Sequence, residues 1–180
     1  IMRLLIKNRH LVDGMESGSA KLAGWSMKAL HQFRRNTKSG SRKNIAAHYD
    51  LGNDLFSLFL DPSMMYSSAV YDRPDLSLEQ AQERKLQLIC EKLQLVESDH
   101  LLEIGTGWGA MAIHAAKHFG CRVTTTTISQ EQYDLAKARV EAEGLSDRIT
   151  LLFNDYRDLT GHYDKLVSIE MIEAIGHQYL

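Results

Sequence analysis

The chain has 180 residues, of which 44% are apolar, with a formal charge of −2 and two cysteines. This length and apolar share are typical of one globular domain with an appendage. No uncharged apolar run reaches roughly 18 residues and the first residues lack a secretory signal, so we expect neither a membrane span nor secretion, but a cytoplasmic protein. Cys90 and Cys121 match no metal or redox spacing, which predicts buried free thiols and no metal site.

Residues 1–43 are predicted to form a basic helical segment followed by a polar linker at 36–43. Residues 17–49 carry seven basic side chains and no acidic one. Such a segment can dock on the phosphates of an anionic membrane or of nucleic acid, and it can equally be a solvated face or pair with the acidic remainder. Nucleic acid is disfavoured, because Trp25 and Phe33 fall on the apolar helix face instead of standing free for base stacking.

Residues 44–98 are predicted to form a helical region on the substrate side of the protein. Asn53 or Asp54 can cap a short apolar helical turn that Asp61 and Pro62 stop. Residues 64–71 are apolar and aromatic with interleaved hydroxyls, a pattern that fits a core strand. Ser77 then begins an amphipathic helix over about 78–95 through a capping box.

From residue 99 onward, strands and helices alternate. The pattern predicts strands at 101–104, 121–127, 149–153 and 165–170, with helices at 110–119 and 130–143. This alternation indicates an α/β fold with a parallel sheet and helices on both faces. Ligands of such sheets bind beyond the carboxyl ends of the strands, so residues 103–109, 127–132, 155–156 and 170–173 are expected to converge.

The first of these strands leads into a loop with glycine at every second position, Gly105, Gly107 and Gly109, just after Glu103. Glycine permits positive φ angles and a close approach of the backbone to a ligand. The spacing differs from the dinucleotide fingerprint, and a carboxylate before the first glycine suits a cationic ligand group better than a phosphate. The loop resembles motif I of class I methyltransferases that use S-adenosylmethionine. A tight turn without any ligand is the alternative.

The chain resembles the cyclopropane-fatty-acyl-phospholipid synthase and mycolic acid methyltransferase family. The resemblance rests on linked motifs at residues 48–54, 65–69, 101–109, 127–132, 155–159 and 168–176. It implies a Rossmann-like sheet, truncated here to its first four strands, that binds S-adenosylmethionine over residues 99–180. It also implies methyl transfer to the cis double bond of an unsaturated phospholipid acyl chain, with ring closure by loss of a proton.

The resemblance assigns the cofactor contacts to Tyr66, Ser67, Glu103, Gly105, Thr106, Gly107, Trp108, Gly109, Thr127, Ile128, Ser129, Gln132, Asp155 and Tyr156. Within this set, Tyr66 and Ser67 would contact the methionine portion and Glu103 its ammonium. Residues 127–132 would hold the ribose and adenine, which Asp155 and Tyr156 would flank.

The resemblance also implies two catalytic residues. Glu173 matches the active-site glutamate that helps hold a bicarbonate base, and Ser68 would line the same pocket. Glu170 is a rival carboxylate that can support the sheet end or a ligand. Since the family often has cysteine in place of Ser68, a methyl-branched product is an alternative to ring formation.

The later strands of the fold, with a histidine and a tyrosine of the base site, have no counterpart in these residues. We therefore expect a fragment that is inactive by itself. An open last strand predicts a tendency to form homo-oligomers. A small-molecule methyltransferase, a scaffold without chemistry and a nucleic-acid-binding module are the other functional alternatives.

Overall fold

The structure, a computed structural model, describes residues 53–175 of the chain. The basic segment, the linker and the boundary predicted after residue 43 lie outside the described residues. The helices are α1 (Asn53–Ser57), α2 (Leu78–Leu93), α3 (Ala110–Phe119), α4 (Gln130–Ala142) and α5 (Ile172–Ile175). The strands are β1 (His100–Ile104), β2 (Arg122–Thr126), β3 (Ile149–Leu152) and β4 (Lys165–Ser168), and a 3₁₀ turn spans Tyr156–Asp158.

The four strands form one parallel sheet in the order β3-β2-β1-β4. Each strand coincides with a predicted one, so the α/β fold is confirmed. The crossovers through α3 and α4 run in the same direction along the sheet, and right-handed crossovers place both helices on one face. Within residues 53–175, the connection from β3 to β4 holds a 3₁₀ turn in place of a helix.

Helix α2 begins at the predicted capping box. The Ser77 hydroxyl accepts a hydrogen bond from the Gln80 amide at 3.2 Å, and the Gln80 side chain accepts one from the Ser77 amide at 3.0 Å. The helix ends at Gln94 in the left-handed conformation. Its buried Ala81, Leu86 and Cys90 face the core, as the amphipathic pattern predicts.

The core lies between α2, α3 and the sheet, around Leu101, Met111 and Val123. Cys90 and Cys121 are both buried free thiols, as predicted, and burial raises the pKa of Cys90 to about 12. Thiols that stay protonated are poor nucleophiles, so both cysteines serve packing. In the described part of the chain, no helix is long and apolar enough to cross a bilayer.

The prediction of a strand at residues 64–71 is wrong, because this segment has no regular secondary structure. Its backbone oxygens are satisfied by a side chain instead of a neighbouring strand: Gln82 Nε2 donates to the carbonyl oxygens of Met65 at 3.1 Å and Ser67 at 2.7 Å. The Val70 amide donates to the Ala81 carbonyl at 3.2 Å. Helix α2 therefore takes the role that a pairing strand would have.

Candidate functional site

The glycine turn lies at the carboxyl end of β1. Gly105, Gly107 and Gly109 have φ angles of 93°, 54° and 88°, a region that L side chains rarely adopt. The amides of Gly105 and Thr106 donate to the Thr126 carbonyl at 3.1 and 3.0 Å, which ties the turn to the end of β2. The motif therefore has the backbone that its spacing predicts.

The three glycines have different surroundings. A Cβ at Gly109 would lie 3.4 Å from the Cβ of Ala136, so this glycine allows α3 and α4 to pack closely. A Cβ at Gly105 would lie 3.5 Å from the Met171 sulfur. A Cβ at Gly107 would meet no atom within 4 Å. Gly107 is thus the position at which the turn borders open space.

A buried polar group of the turn, in the residue before Gly107, lacks a hydrogen-bond partner among the described residues. Thr106 is only 4% exposed, yet its hydroxyl makes no hydrogen bond. Leaving a buried hydroxyl unsatisfied costs about 1–3 kcal/mol, so such groups in native structures usually meet a ligand or water. The other two unpaired buried atoms of residues 53–175 are Oδ1 of Asp61 and Oε1 of Gln82, from the segments that pack beside the turn.

Trp108 anchors the turn by its side chain. The ring is 2% exposed, lies 4.9 Å from Phe56 and 6.4 Å from Tyr66 between centroids, and its Nε1 donates to Asn53 Oδ1 at 2.7 Å. The Trp108 side chain is therefore part of the packing that holds the turn. Tyr66 is 49% exposed and presents the accessible aromatic surface.

Arg139 of α4, which the sequence analysis missed, clamps two segments together. Its Nη1 donates to the carbonyl oxygens of Trp108 at 2.6 Å and of Ser63 at 2.7 Å. Burial lowers the Arg139 pKa, and the nearby Asp61 carboxylate opposes that shift. One guanidinium thus fixes the glycine turn relative to the segment that carries Tyr66.

The end of β2 carries a compact polar network of three predicted cofactor residues. The Thr127 hydroxyl donates to Gln132 Oε1 at 2.9 Å and accepts from the Ser129 amide at 3.1 Å. The Ser129 hydroxyl caps α4 by accepting from the Gln132 amide at 3.3 Å. All three are buried, and Ile128 between them is half-buried. The network holds this strand end rigid.

Beyond β3, Asp155 is buried and begins the 3₁₀ turn. Its carboxylate accepts from Arg157 Nη2 at 2.6 Å and from Nε at 2.8 Å. Tyr156 is half-buried, with the Arg157 guanidinium 5.6 Å from its ring centroid. The structure therefore gives Asp155 a structural ion pair and leaves part of Tyr156 accessible.

Glu103 is buried within the sheet, near the carboxyl end of β1. The side chain is 2% exposed, and its Oε2 accepts from the Thr125 hydroxyl at 2.6 Å across the β1–β2 pair. Burial raises the Glu103 pKa to about 8, and the Thr125 hydrogen bond only partly opposes this. Glu103 therefore has a partner within the sheet, and the ammonium contact that the resemblance implies stays a prediction.

Four polar residues meet where residues 67–68 approach the end of β4. The Lys85 ammonium donates to the Ser67 hydroxyl. The amide and the hydroxyl of Ser68 donate to Glu170 Oε1 at 3.4 and 3.3 Å. Burial lowers the Lys85 pKa and the Glu170 carboxylate opposes that shift, so the two charges sense each other. The structure thus places Ser68 against Glu170.

Glu173 lies in the first turn of α5 and is exposed. Within residues 53–175, no hydrogen bond joins it to Ser68. The sequence analysis also missed Gln82 and Lys85, although a signal existed: both are polar residues on the helix face that carries Ala81 and Leu86. Buried polar side chains on an apolar face need partners, and here the partners are residues 65–67.

A family model described as mycolic acid cyclopropane synthetase matches residues 36–180. The chain belongs to this family. A probable fatty acid methyltransferase of Pseudomonas putida is 43% identical over 149 residues, which cover 82% of this chain and 38% of the relative. A cyclopropane-fatty-acyl-phospholipid synthase of Escherichia coli K12 is 49% identical over 129 residues, covering 72% of this chain and 32% of the relative.

Among solved structures, the chain is similar to mycolic acid cyclopropane synthase CmaA1 complexed with SAH and CTAB. The TM-score is 0.73 at 34% identity, and the match covers 76% of this chain and 48% of that one. The chain therefore spans about a third of the length of the curated relatives it matches and about half of this structure.

Proposed function

We propose that the protein to which these residues belong uses S-adenosylmethionine to add a methyl or methylene group to the cis double bond of an unsaturated phospholipid acyl chain. The observation that carries the proposal is the glycine turn at the carboxyl end of β1, where Gly107 borders open space. A ligand lying over the turn would fill this space. The family to which the chain belongs supports S-adenosylmethionine as that ligand.

When bound, S-adenosylmethionine supplies a methyl group on a positively charged sulfur. The residues of this chain would hold it. Tyr66 offers an accessible aromatic face beside the turn, and aromatic faces attract cations. The buried network of Thr127, Ser129 and Gln132 is already rigid, so little conformational freedom is lost on binding.

A lipid acyl chain is supported by the apolar surface that precedes the glycine turn. Several large apolar or aromatic side chains of residues 55–71 are exposed: Leu55, Leu58, Phe59, Val70 and Tyr71. Contiguous exposed apolar groups commonly mark a ligand, membrane or protein contact. An alkene is a weak nucleophile, so its addition reaction needs a site from which water is excluded, and an apolar cover provides that.

Two alternatives remain for the product and the substrate. Ser68 stands where the family often has cysteine, and this difference makes a methyl-branched chain the alternative product to a ring. The fatty acid methyltransferase relative supports the same alternative. A small-molecule methyltransferase is the second candidate, and it would not need the exposed apolar surface of residues 55–71.

We further propose that the protein is cytoplasmic and attaches peripherally to membranes. The seven basic side chains of residues 17–49, which lie outside the described residues, would meet anionic lipid headgroups. Cosedimentation with vesicles of anionic and of neutral phospholipid tests this. Binding to anionic vesicles at low salt that fades at high salt is expected, and no binding at low salt would refute it.

The catalytic proposal is tested by mass spectrometry of lipids from cells that express the complete protein. The expected product is an unsaturated acyl chain that has gained the mass of one CH₂ group, and fragmentation distinguishes a ring from a branch. Calorimetry with S-adenosylhomocysteine tests cofactor binding independently. Absence of both binding and mass gain would refute the proposed function.

A further inference from the structure

The amide and the hydroxyl of Ser68 form a pair of donors that point at one atom, Oε1 of Glu170. Two converging donors of this kind make a site for a carboxylate or a similar planar anion. In this chain, the anion is supplied by the protein itself, although the two residues are 102 positions apart in the sequence. The site therefore exists only in the folded chain.

An external bicarbonate does not fit these residues. The resemblance implied that bicarbonate would be held near Ser68 and Glu173, yet both Ser68 donors are already directed to Glu170. A second anion at the same place would compete with the Glu170 carboxylate for the two Ser68 donors. Lys85 is the cation of this cluster, and its ammonium donates to Ser67.

Glu170 is also held in an unusual backbone conformation. Its φ angle is 47°, and it is one of three residues other than glycine with positive φ among residues 53–175. Strained backbone of this type is found preferentially at functional sites. Glu170 lies two residues after the end of β4 and precedes Met171, whose sulfur lies against Gly105. Glu170 thus lies at the carboxyl ends of the strands, where the glycine turn also lies.

Resting on the proposed function, we propose that Glu170 is an internal carboxylate base that replaces bicarbonate in this protein. The alkene π electrons form a bond to the donor methyl carbon as its bond to sulfur breaks, which leaves a cation on the second alkene carbon. A Glu170 oxygen then takes a proton from the added methyl group. The electron pair of that C–H bond closes the ring, and Glu170 becomes a neutral carboxylic acid. No further reactant is required.

The other two carboxylates near the turn are less suited to this role. Glu103 is buried within the sheet, and its carboxylate accepts a hydrogen bond from Thr125. Glu173 is exposed like Glu170, but it makes no hydrogen bond to Ser68 within the described residues. Ser68 would position Glu170, and the Lys85 ammonium lies in the same cluster through its bond to Ser67.

The test uses the complete protein and its Glu170→Gly variant. Glycine accepts the positive φ, so this variant should fold. Gln94→Gly is the matched control, because Gln94 has a φ of 52° at the end of α2, away from the carboxyl ends of the strands. In buffer freed of carbon dioxide, wild type and Gln94→Gly should keep full turnover. Glu170→Gly should lose about 100-fold or more and recover in part when bicarbonate is added.

A binding measurement provides a second readout. In ¹⁵N-labelled wild type, the Ser68 amide resonance should not respond to added bicarbonate, whereas in Glu170→Gly it should shift and saturate. A saturable shift in wild type, wild-type turnover that requires bicarbonate, or full activity of Glu170→Gly would each overturn the proposal. These results differ from failure of the proposed function, in which wild type neither binds S-adenosylhomocysteine nor forms product under any condition.

Discussion

Replacing Gly107 by alanine tests whether the open side of the glycine turn holds the cofactor. Gly107 and Gly144 form a matched pair: their φ angles are 54° and 67°, and a Cβ at either position would meet nothing within 4 Å. The left-handed conformation costs an L residue about 1–2 kcal/mol. Alanine also restricts the unfolded chain, which offsets about 0.4–1 kcal/mol. Each variant should therefore lose about 1 kcal/mol of stability.

The two variants should differ in cofactor binding. For a domain of this size, a loss of about 1 kcal/mol lowers the melting temperature by roughly 2–4 °C, which calorimetric melting of both variants can measure. An added methyl group in a filled site costs about 1–3 kcal/mol, so Gly107→Ala should bind S-adenosylhomocysteine about 5- to 150-fold more weakly in titration calorimetry. Gly144→Ala should bind it like wild type.

Two outcomes would refute this reasoning. Unchanged affinity in Gly107→Ala would show that the space beside this glycine is not the cofactor site. An equal loss of affinity in Gly144→Ala would show that the effect comes from general destabilisation, since Gly144 follows α4 and lies outside the turn.

Three further predictions concern buried polar groups. Arg139→Lys should weaken S-adenosylhomocysteine binding in calorimetry without unfolding the protein, because the lysine nitrogen is one bond closer to the backbone than Nη1 of arginine and would not reach both carbonyl oxygens. Wild-type affinity would contradict the clamp. Glu103 has a pKa of about 8 in the folded protein and an ordinary pKa of 4.5 in the unfolded chain. Its protonated form therefore favours the folded state, and stability should fall as the pH rises between these values. Urea unfolding of Glu103→Gln should show a flatter pH profile. The effect of His114 on stability should depend on pH in the opposite direction. Burial and, to a smaller extent, His118 lower the His114 pKa to about 4, so acidification from pH 6.5 should destabilise the fold. An NMR titration that gives an ordinary imidazole pKa would refute this.

Local signals predicted most of the framework. The capping box at Ser77, the amphipathic pattern of α2 and the alternation of strands and helices after residue 99 all depend on neighbours within a few residues, and each is confirmed. The expected strand at 64–71 failed because its backbone partners are side chains of α2. Gln82 lies 17 and 15 residues from the carbonyls it contacts, and a local pattern contains no record of such contacts.

The candidate site divides in the same way. The positive φ angles of Gly105, Gly107 and Gly109 agree with the glycine spacing, because glycine adopts this backbone region without the strain that an L side chain would meet. The orientation of the Glu103 side chain does not follow from its place in the sequence, because the packing of the sheet decides whether a strand residue faces a ligand or the protein interior. Its pairing with Thr125 across β1 and β2 turned it inward.

The sequence by itself determined the order of strands and helices, the glycine turn and the family, because periodicity and turn chemistry are written in adjacent residues. Tertiary structure alone decided which carboxylate meets Ser68, how Arg139 joins two segments, and where a buried hydroxyl stays unpaired. These features depend on distances between residues far apart in the chain. Such distances are set by how the helices pack on the sheet, and packing is a property of the whole folded domain.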